Sequence, residues 1–150
     1  MPKNKLKLEP EPVVEQVCVF CQIIAGELPA RKIYEDENAL AFLDIAAWHR
    51  GHALVVTKRH VPDLITGPPS LVEIAPAVDH VARMLIHRLA ADGINVLSSA
   101  GEIAGQTVFH MHMHVVPRYA DEPGLSRLVN PVAVPDGELK SVYKQIKAGA

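Results

Sequence analysis

The sequence has little excess charge and no long hydrophobic run, and each absence excludes a class of protein. Its 150 residues carry a formal net charge of −2 with neutral histidines, which gives no electrostatic reason to expect binding to nucleic acid or to an anionic membrane. No stretch approaches the roughly 20 apolar residues that a membrane span needs. The first 15 residues mix lysine, glutamate and proline without the apolar core of a signal peptide, so we expect a cytoplasmic protein with a flexible tail over residues 1–15.

Cysteine is also scarce. The chain has two, Cys18 and Cys21, in a C-x-x-C spacing. In a cytosolic chain this spacing indicates metal or redox chemistry more often than a structural disulfide. A tetrahedral zinc site needs four nitrogen or sulfur ligands, so two histidines from elsewhere would have to complete it. The spacing alone leaves zinc and a pair of free thiols open as alternatives.

Length and composition are those of one ordinary globular domain. Apolar residues make up 49% of the chain and charged residues 21%, as in typical soluble domains. A chain of this length can bury one sizeable core, and no internal repeat divides it. We therefore predict a single domain over residues 16–150.

Hydrophobic periodicity predicts an α+β fold in which an antiparallel sheet packs with one long helix and a short N-terminal helix. A terminal helix is expected as well. The predicted elements are, in order, a helix near Phe20–Ala25, strands at Lys32–Glu35, Ala39–Leu43 and His52–Thr57, the long helix Ser70–Ala91, strands at Ile94–Ser98 and Thr107–Val116, and a helix at Asp136–Lys147.

The long helix carries signals for its start and for an interface. Ser70 followed by Glu73 is a capping-box pattern, whereas Pro76 lacks a backbone donor and predicts a kink, or a helix that begins near it. The apolar stripe of this helix is wider than one small sheet is expected to cover, and its members include Leu71, Ile74, Val78, Leu85 and Leu89. We therefore predict that part of it, with the strand at 94–98, forms a two-fold symmetric interface between two copies.

Three histidines alternate with apolar residues in the stretch His110-Met111-His112-Met113-His114-Val115-Val116. Successive side chains of a strand point to opposite faces, so the three imidazoles share one face. The apolar face packs a core, but three imidazoles in register have no comparable structural purpose. Their pattern indicates metal ligation, acid–base catalysis or nucleophilic attack, since each depends on a nitrogen lone pair near neutral pH.

Several shorter features are weak when taken singly. Gly105-Gln106-Thr107 could present backbone donors and a hydroxyl to a phosphate, although most short glycine loops are only turns. His52 and His60 stand at the two ends of a predicted strand, where each alone would more often be a surface residue. Asp44 follows a strand among large apolar residues, and could bind ribose hydroxyls or simply cap a turn.

Taken together, these motifs resemble the histidine triad (HIT) family. The stretch from His110 to Val116 matches the signature His-φ-His-φ-His-φ-φ, where φ is apolar, and the likeness covers about residues 18–119. Further matching stretches are Cys18–Cys21, Tyr34–Glu37, Ala41–Ile45, Gly51–Val56 and Gly105–Phe109. The chain is most similar to the bacterial Hint-like branch, because the galactose-1-phosphate uridylyltransferase branch has glutamine where this chain has His114.

The resemblance implies a homodimer whose two sheets join, and chemistry at a nucleotide α-phosphate through a nucleotidyl-histidine intermediate. His112 would be the nucleophile and His52 would support it. His114, Gln106, Thr107 and Ser99 would surround the phosphate. Ser99 stands where the family often has asparagine, so it offers a shorter side chain with a hydroxyl instead of an amide. The residues implied to hold the nucleoside are Phe20, Ile23, Phe42, Asp44 and Ile45. The residues implied to hold a structural zinc are Cys18, Cys21, His60 and His110.

Four functions remain to be compared. The leading one is a hydrolase or phosphoramidase acting on purine nucleoside monophosphate conjugates, with no catalytic metal. The others are a dinucleoside polyphosphate hydrolase, a nucleotide-binding regulatory protein with residual activity, and a metal hydrolase with zinc on the three histidines of the triad. In that metal hydrolase, zinc would bind the histidine needed as the nucleophile, and Cys18 and Cys21 would have no role.

Overall fold

A computed structural model describes residues 17–122, 124 and 133–148. Residue contacts divide the chain into two compact units, residues 1–120 and 121–150, and each is described by itself. The predicted tail over residues 1–15 lies outside the described residues, and the single domain over 16–150 stays a prediction. None of the described helices combines the length and the apolar character needed to cross a bilayer.

In the described part of the first unit, the chain forms a five-stranded sheet in the order β1-β2-β3-β5-β4, with every neighbouring pair antiparallel. The predicted α+β architecture is therefore confirmed. Its elements are α1 (Val19–Ile24), β1 (Lys32–Glu35), β2 (Ala39–Leu43), β3 (Ala53–Thr57), α2 (Leu71–Leu89), β4 (Gly93–Leu97), a 3-10 turn at Glu102–Ala104, and β5 (His112–Arg118). The second unit contains α3 (Asp136–Ala148), which ends one residue later than the predicted terminal helix.

Strands β2 and β3 are apolar on both faces because a helix covers each face of the sheet. Alternate residues of β2 and β3 enter different clusters, so that Val55 packs with α2 while Leu54 packs with α1. This burial explains the nearly continuous apolar runs of β2 and β3. In the pairing of β3 with β5, Leu54 lies opposite His114 and Val56 lies opposite His112. Both histidines therefore lie on the α1 side of the sheet.

The histidine strand begins five residues later than predicted, at His112 instead of residue 107. The residues just before it are bonded both to a loop and to the end of β3. The Met111 N–H donates to the carbonyl of Val61 at 2.7 Å, while the Met111 carbonyl accepts from the Thr57 N–H at 3.3 Å. The bond to Val61 takes up the backbone donor that a continued strand ladder would have used.

The start of α2 also differs from the prediction. Ser70 has a helical backbone conformation and makes no side-chain cap bond, so the predicted capping box does not form. The Glu73 carboxylate pairs with Arg59 instead. The helix begins at Leu71 and includes Pro76, which excludes the alternative of a helix that starts at the proline.

The loop before β3 approaches α2 closely at Gly51. The φ of Gly51 is +86°, and an added Cβ would overlap the Leu89 side chain and lie 3.2 Å from Pro117 Cγ. We expect Gly51→Ala to lower the free energy of unfolding by about 2–3 kcal/mol, from backbone strain plus overpacking. Gly26→Ala is the matched control, because Gly26 has a φ of +78° but open space around it. Urea unfolding that shows equal losses for the two variants would contradict the close approach.

Candidate active site

A cavity of about 1060 Å³ opens on the α1 side of the sheet, large enough for a nucleotide-sized ligand. One part of its wall is apolar, and its members include Phe20, Ile23, Phe42 and Leu54. Another part is polar, and its members include Asp44, Ser99, Gln106, Thr107, His112 and His114. Residues predicted for a nucleoside and residues predicted for a phosphate thus border one cavity. Ile45 is almost fully exposed and stands at the rim.

His112 is held in one tautomer by the backbone. Its Nδ1 lies 2.6 Å from the carbonyl oxygen of His110, and since a carbonyl can only accept, Nδ1 carries the proton. The lone pair is therefore on Nε2. The ring of Phe20 packs edge-on against the imidazole, with centroids 5.2 Å apart. A mostly buried histidine that borders the cavity thus has a nucleophilic nitrogen in a fixed orientation.

The tautomer of His114 is set by a chain of two hydrogen bonds. The Trp48 N–H donates to His52 Nδ1 at 3.0 Å, which leaves the His52 proton on Nε2. That nitrogen lies 2.9 Å from His114 Nδ1, so His114 Nδ1 accepts and its Nε2 bears the proton. Burial, with smaller contributions from His112 and His52, lowers the pKa of His114 to about 4. His114 is therefore a neutral donor at physiological pH.

Asp44 caps a turn and also borders the cavity. Its Oδ1 accepts from the Ala46 N–H at 2.8 Å, as a turn-capping residue does. Its Oδ2 lies 3.6 Å from His52 Nε2, and the residue borders the cavity. Asp44, His52 and His114 have their donor atoms close together, but both His52 nitrogens are already hydrogen-bonded. A metal on this group would break the bond from Trp48, so the residues do not fit one.

The loop before the triad is held by Gln106, whose side chain is 4% exposed. Its Oε1 accepts from the Gly101 N–H, while its Nε2 donates to the carbonyls of Pro62 and Val108. Both amide hydrogens are used, so Gln106 shapes the loop instead of offering a free donor to a phosphate. Thr107 is exposed and Ser99 half-buried at the cavity wall.

A second polar cluster lies beside the triad and includes His110. His110 Nδ1 is 3.3 Å from Cys18 Sγ, 3.5 Å from Cys21 Sγ and 3.2 Å from His60 Nδ1, and His60 Nδ1 is 3.2 Å from Cys21 Sγ. In a tetrahedral zinc site with bonds of about 2.3 Å to sulfur and about 2.0 Å to nitrogen, neighbouring ligand atoms lie about 3.3–3.8 Å apart. The four side chains therefore already stand at nearly the separations that zinc requires.

The position of the His110 proton also favours a cation in this cluster. His110 Nε2 donates to the carbonyl of Thr57 at 2.6 Å, which leaves the Nδ1 lone pair facing the cysteines. Burial, and then the neighbouring Cys18, raise the pKa of Cys21 to about 11, so the Cys21 thiol keeps its proton unless a bound cation displaces it. The same contacts direct the His110 ring away from His112 and His114. The triad is therefore not a single metal site.

Sequence reasoning missed several residues of the cavity wall, among them one large aromatic and one charged residue. Trp48 stacks on His114 with ring centroids 4.7 Å apart and an interplanar angle of 17°. Arg31 alone among the described lining residues carries a full positive charge. Neither belongs to a periodic pattern or to a motif that the resemblance covers, so the sequence offered no signal for them.

Comparison with known proteins identifies the relatives of this chain. The family model described as HIT domain matches residues 25–121. The Bacillus subtilis protein named hit is 44% identical over 108 residues, which cover 71% of this chain and 74% of that protein. An adenosine 5'-monophosphoramidase of Schizosaccharomyces pombe is 34% identical over 132 residues, 87% of this chain and 96% of that protein. The crystal structure of a zinc-bound histidine triad family protein from Mycobacterium smegmatis is 38% identical and superposes with a TM-score of 0.67, covering 89% of this chain and 98% of that one.

The lowered pKa of His114 predicts how stability varies with pH. Its folded-state value of about 4 lies below the unfolded value of about 6.5, so the unfolded state binds more protons between these values. The free energy of unfolding should therefore fall as the pH drops from 6.5 to 4. We expect His114→Gln to flatten this fall in urea titrations, whereas His80→Gln, at an exposed histidine, should leave it unchanged. Equal pH profiles for wild type and His114→Gln would contradict the assignment.

Proposed function

Because this chain belongs to the HIT domain family, we propose that it hydrolyses purine nucleoside 5'-monophosphate conjugates, phosphoramidates above all, at the α-phosphate. One observation carries the proposal: the Nδ1 proton of His112 is fixed by the His110 carbonyl, which leaves Nε2 as a nucleophile in a nucleotide-sized cavity. The similarity to a yeast adenosine 5'-monophosphoramidase supports this substrate class.

The reaction has two displacements at phosphorus. In the first, the Nε2 lone pair of His112 bonds to the α-phosphorus, the bond to the leaving nitrogen breaks, and the amine departs with a proton from solvent. In the second, water attacks phosphorus, its proton returns to solvent, and His112 leaves as neutral imidazole. The Nε2–H of His114 and the Thr107 hydroxyl donate to the phosphoryl oxygens, where negative charge accumulates.

The apolar end of the cavity suits a base, and Asp44 suits the ribose hydroxyls. Phe20 and Phe42 pack edge to face at 5.5 Å, and together with Ile23 they form a slot without a polar reader of their own. Stacking and burial favour a purine and discriminate weakly between adenine and guanine. Dinucleoside polyphosphates are the second candidate, since the cationic Arg31 in the wall would suit additional phosphates.

We propose that two copies of the chain associate, so that their sheets join. β4 is an edge strand of the sheet, and Val96 within it is 43% exposed. Leu71 and Val72 of α2 are also exposed. An edge with unpaired backbone groups beside apolar side chains is a surface that a second copy can cover.

We propose that Cys18, Cys21, His60 and His110 hold one structural zinc ion. When bound, the ion would stabilise the fold and take no part in the displacement. Two observations support it: the ligand separations described above and the zinc-bound relative from Mycobacterium smegmatis.

Measuring the zinc content tests whether this cluster holds a zinc ion. Protein purified without added metal should contain about one zinc per chain by elemental analysis. The double variant Cys18→Ser, Cys21→Ser should lose it, and its Tm should fall by about 10 °C because metal binding contributes to folding. His87→Gln, at an exposed histidine of α2, is the matched control and should keep both. A double variant with unchanged zinc content and Tm would contradict the proposal.

The nucleophile can be identified by substitution and trapping. We expect His112→Ala to lower turnover of adenosine phosphoramidate by about 1000-fold or more, with the circular dichroism spectrum unchanged. His114→Ala should cost about 10–100-fold, since it removes one donor among several. His112→Asn should still bind AMP, because the base slot and the phosphate donors remain.

A rapid quench into alkaline denaturant decides the covalent step. Substrate labelled at the α-phosphate should leave label on His112 that survives base and is released by acid. Label on His114, or substantial turnover by His112→Ala, would contradict the assignment. Diadenosine tetraphosphate assayed beside adenosine phosphoramidate separates the two candidate functions.

A further inference from the structure

Trp48 is a large aromatic side chain in the cavity wall that the displacement itself does not require. It lies in the connection between β2 and β3 and is the single tryptophan of the chain. Its ring stacks on His114 at 4.7 Å and meets His52 at 4.6 Å with a tilt of 47°. Even so, 44% of the residue stays exposed. The indole is therefore packed against the catalytic imidazoles while much of its surface remains open beside the cavity.

Positioning His52 does not explain the indole. The contact that fixes the His52 tautomer comes from the Trp48 backbone N–H, and every residue except proline supplies that group. A smaller apolar side chain could cover His114 equally well. A half-exposed indole at the wall of a ligand cavity is more typical of a surface that binds something apolar.

Two aromatic residues of the wall, Phe20 and Trp48, stand on opposite sides of the nucleophile. Phe20 contacts His110 and His112, whereas Trp48 contacts His52 and His114. With the base in the slot at Phe20 and the phosphorus at His112 Nε2, the remaining substituent on phosphorus extends past His114. Trp48 is the aromatic surface available to that substituent.

We propose that the exposed part of Trp48 forms a subsite for a planar, apolar leaving group attached to the α-phosphate. This rests on the proposed function, and it narrows the substrate class to conjugates of amines that carry an aromatic ring. The neighbouring Ile45 and Ala46 are exposed at the same part of the wall and extend the apolar surface. Stacking on an indole favours a flat ring over a puckered one of the same size by roughly threefold to tenfold.

The first experiment compares three adenosine 5'-phosphoramidates, of ammonia, cyclohexylmethylamine and benzylamine. Wild type should prefer the benzylamine conjugate over the cyclohexylmethylamine conjugate in kcat/KM by about threefold to tenfold. Trp48→Leu should abolish that ratio and Trp48→Phe should retain most of it. Phe109→Leu is the matched control, because Phe109 is similarly exposed but is absent from the cavity wall, and it should keep the wild-type ratio.

The ratio of kcat/KM between the benzylamine and cyclohexylmethylamine conjugates distinguishes a leaving-group subsite from a role of Trp48 in positioning His114. If Trp48→Leu lowers the rates with all three conjugates by the same factor, the indole only positions His114 and the proposal is wrong. A wild-type enzyme that shows no preference for benzylamine over cyclohexylmethylamine also overturns it. Failure of wild type to hydrolyse any conjugate would contradict the proposed function instead.

A binding measurement keeps the subsite testable even without turnover. Tryptophan fluorescence reports on Trp48 alone, since the chain has no other tryptophan. In the His112→Asn variant, the benzylamine conjugate should quench this fluorescence more than AMP or the cyclohexylmethylamine conjugate does. Equal quenching by all three compounds would overturn the proposal.

Discussion

The hydrogen bond from His112 Nδ1 to the His110 carbonyl is the contact on which the rest of the site depends. Residue 110 contributes its carbonyl to His112 and its ring to the Cys/His cluster. The orientation of that ring is fixed in turn by the carbonyl of Thr57 at the end of β3. A displaced His110 would therefore disturb the tautomer of His112 and the geometry of the cluster together. One backbone position thus couples a structural site to a chemical one.

The sheet supplies the second constraint, because its two faces have different tasks. Val55 and Met111 pack with α2 on one face, while Leu54 and Val56 place His114 and His112 beside α1 on the other. The face under α2 is closed by apolar side chains. The face under α1 is open enough to hold a ligand, since α1 has only six residues. The closed, apolar face therefore supports the face that carries the cavity.

The sequence predicted those parts of the molecule that depend on local periodicity and on a recognisable motif. Alternation assigned His112 and Met113 to opposite faces, and the bounds of β1 and β2 were predicted correctly. Contacts between distant residues could not be foreseen. The bond from Met111 to Val61 delays the histidine strand, and the pairing of Glu73 with Arg59 replaces the predicted cap. Trp48 was missed because a tryptophan in an irregular segment carries no period.

The N-terminus of α1 has a consequence for transplanting this chemistry. Cys18 is the N-cap residue of α1, and its sulfur accepts from the Cys21 N–H, so the segment that carries Phe20 is anchored at the cluster. Grafting the heptapeptide of alternating histidines onto a foreign sheet would copy three imidazoles. It would not copy the Cys18 cap or the cluster that anchors α1. His112 would keep the His110 carbonyl, but His110 and His114 would lose Thr57 and His52 and would sample both tautomers. The aromatic wall would also be missing. The transferable module is therefore the whole of α1, the ends of β3 and β5, and the loop that joins β2 to β3.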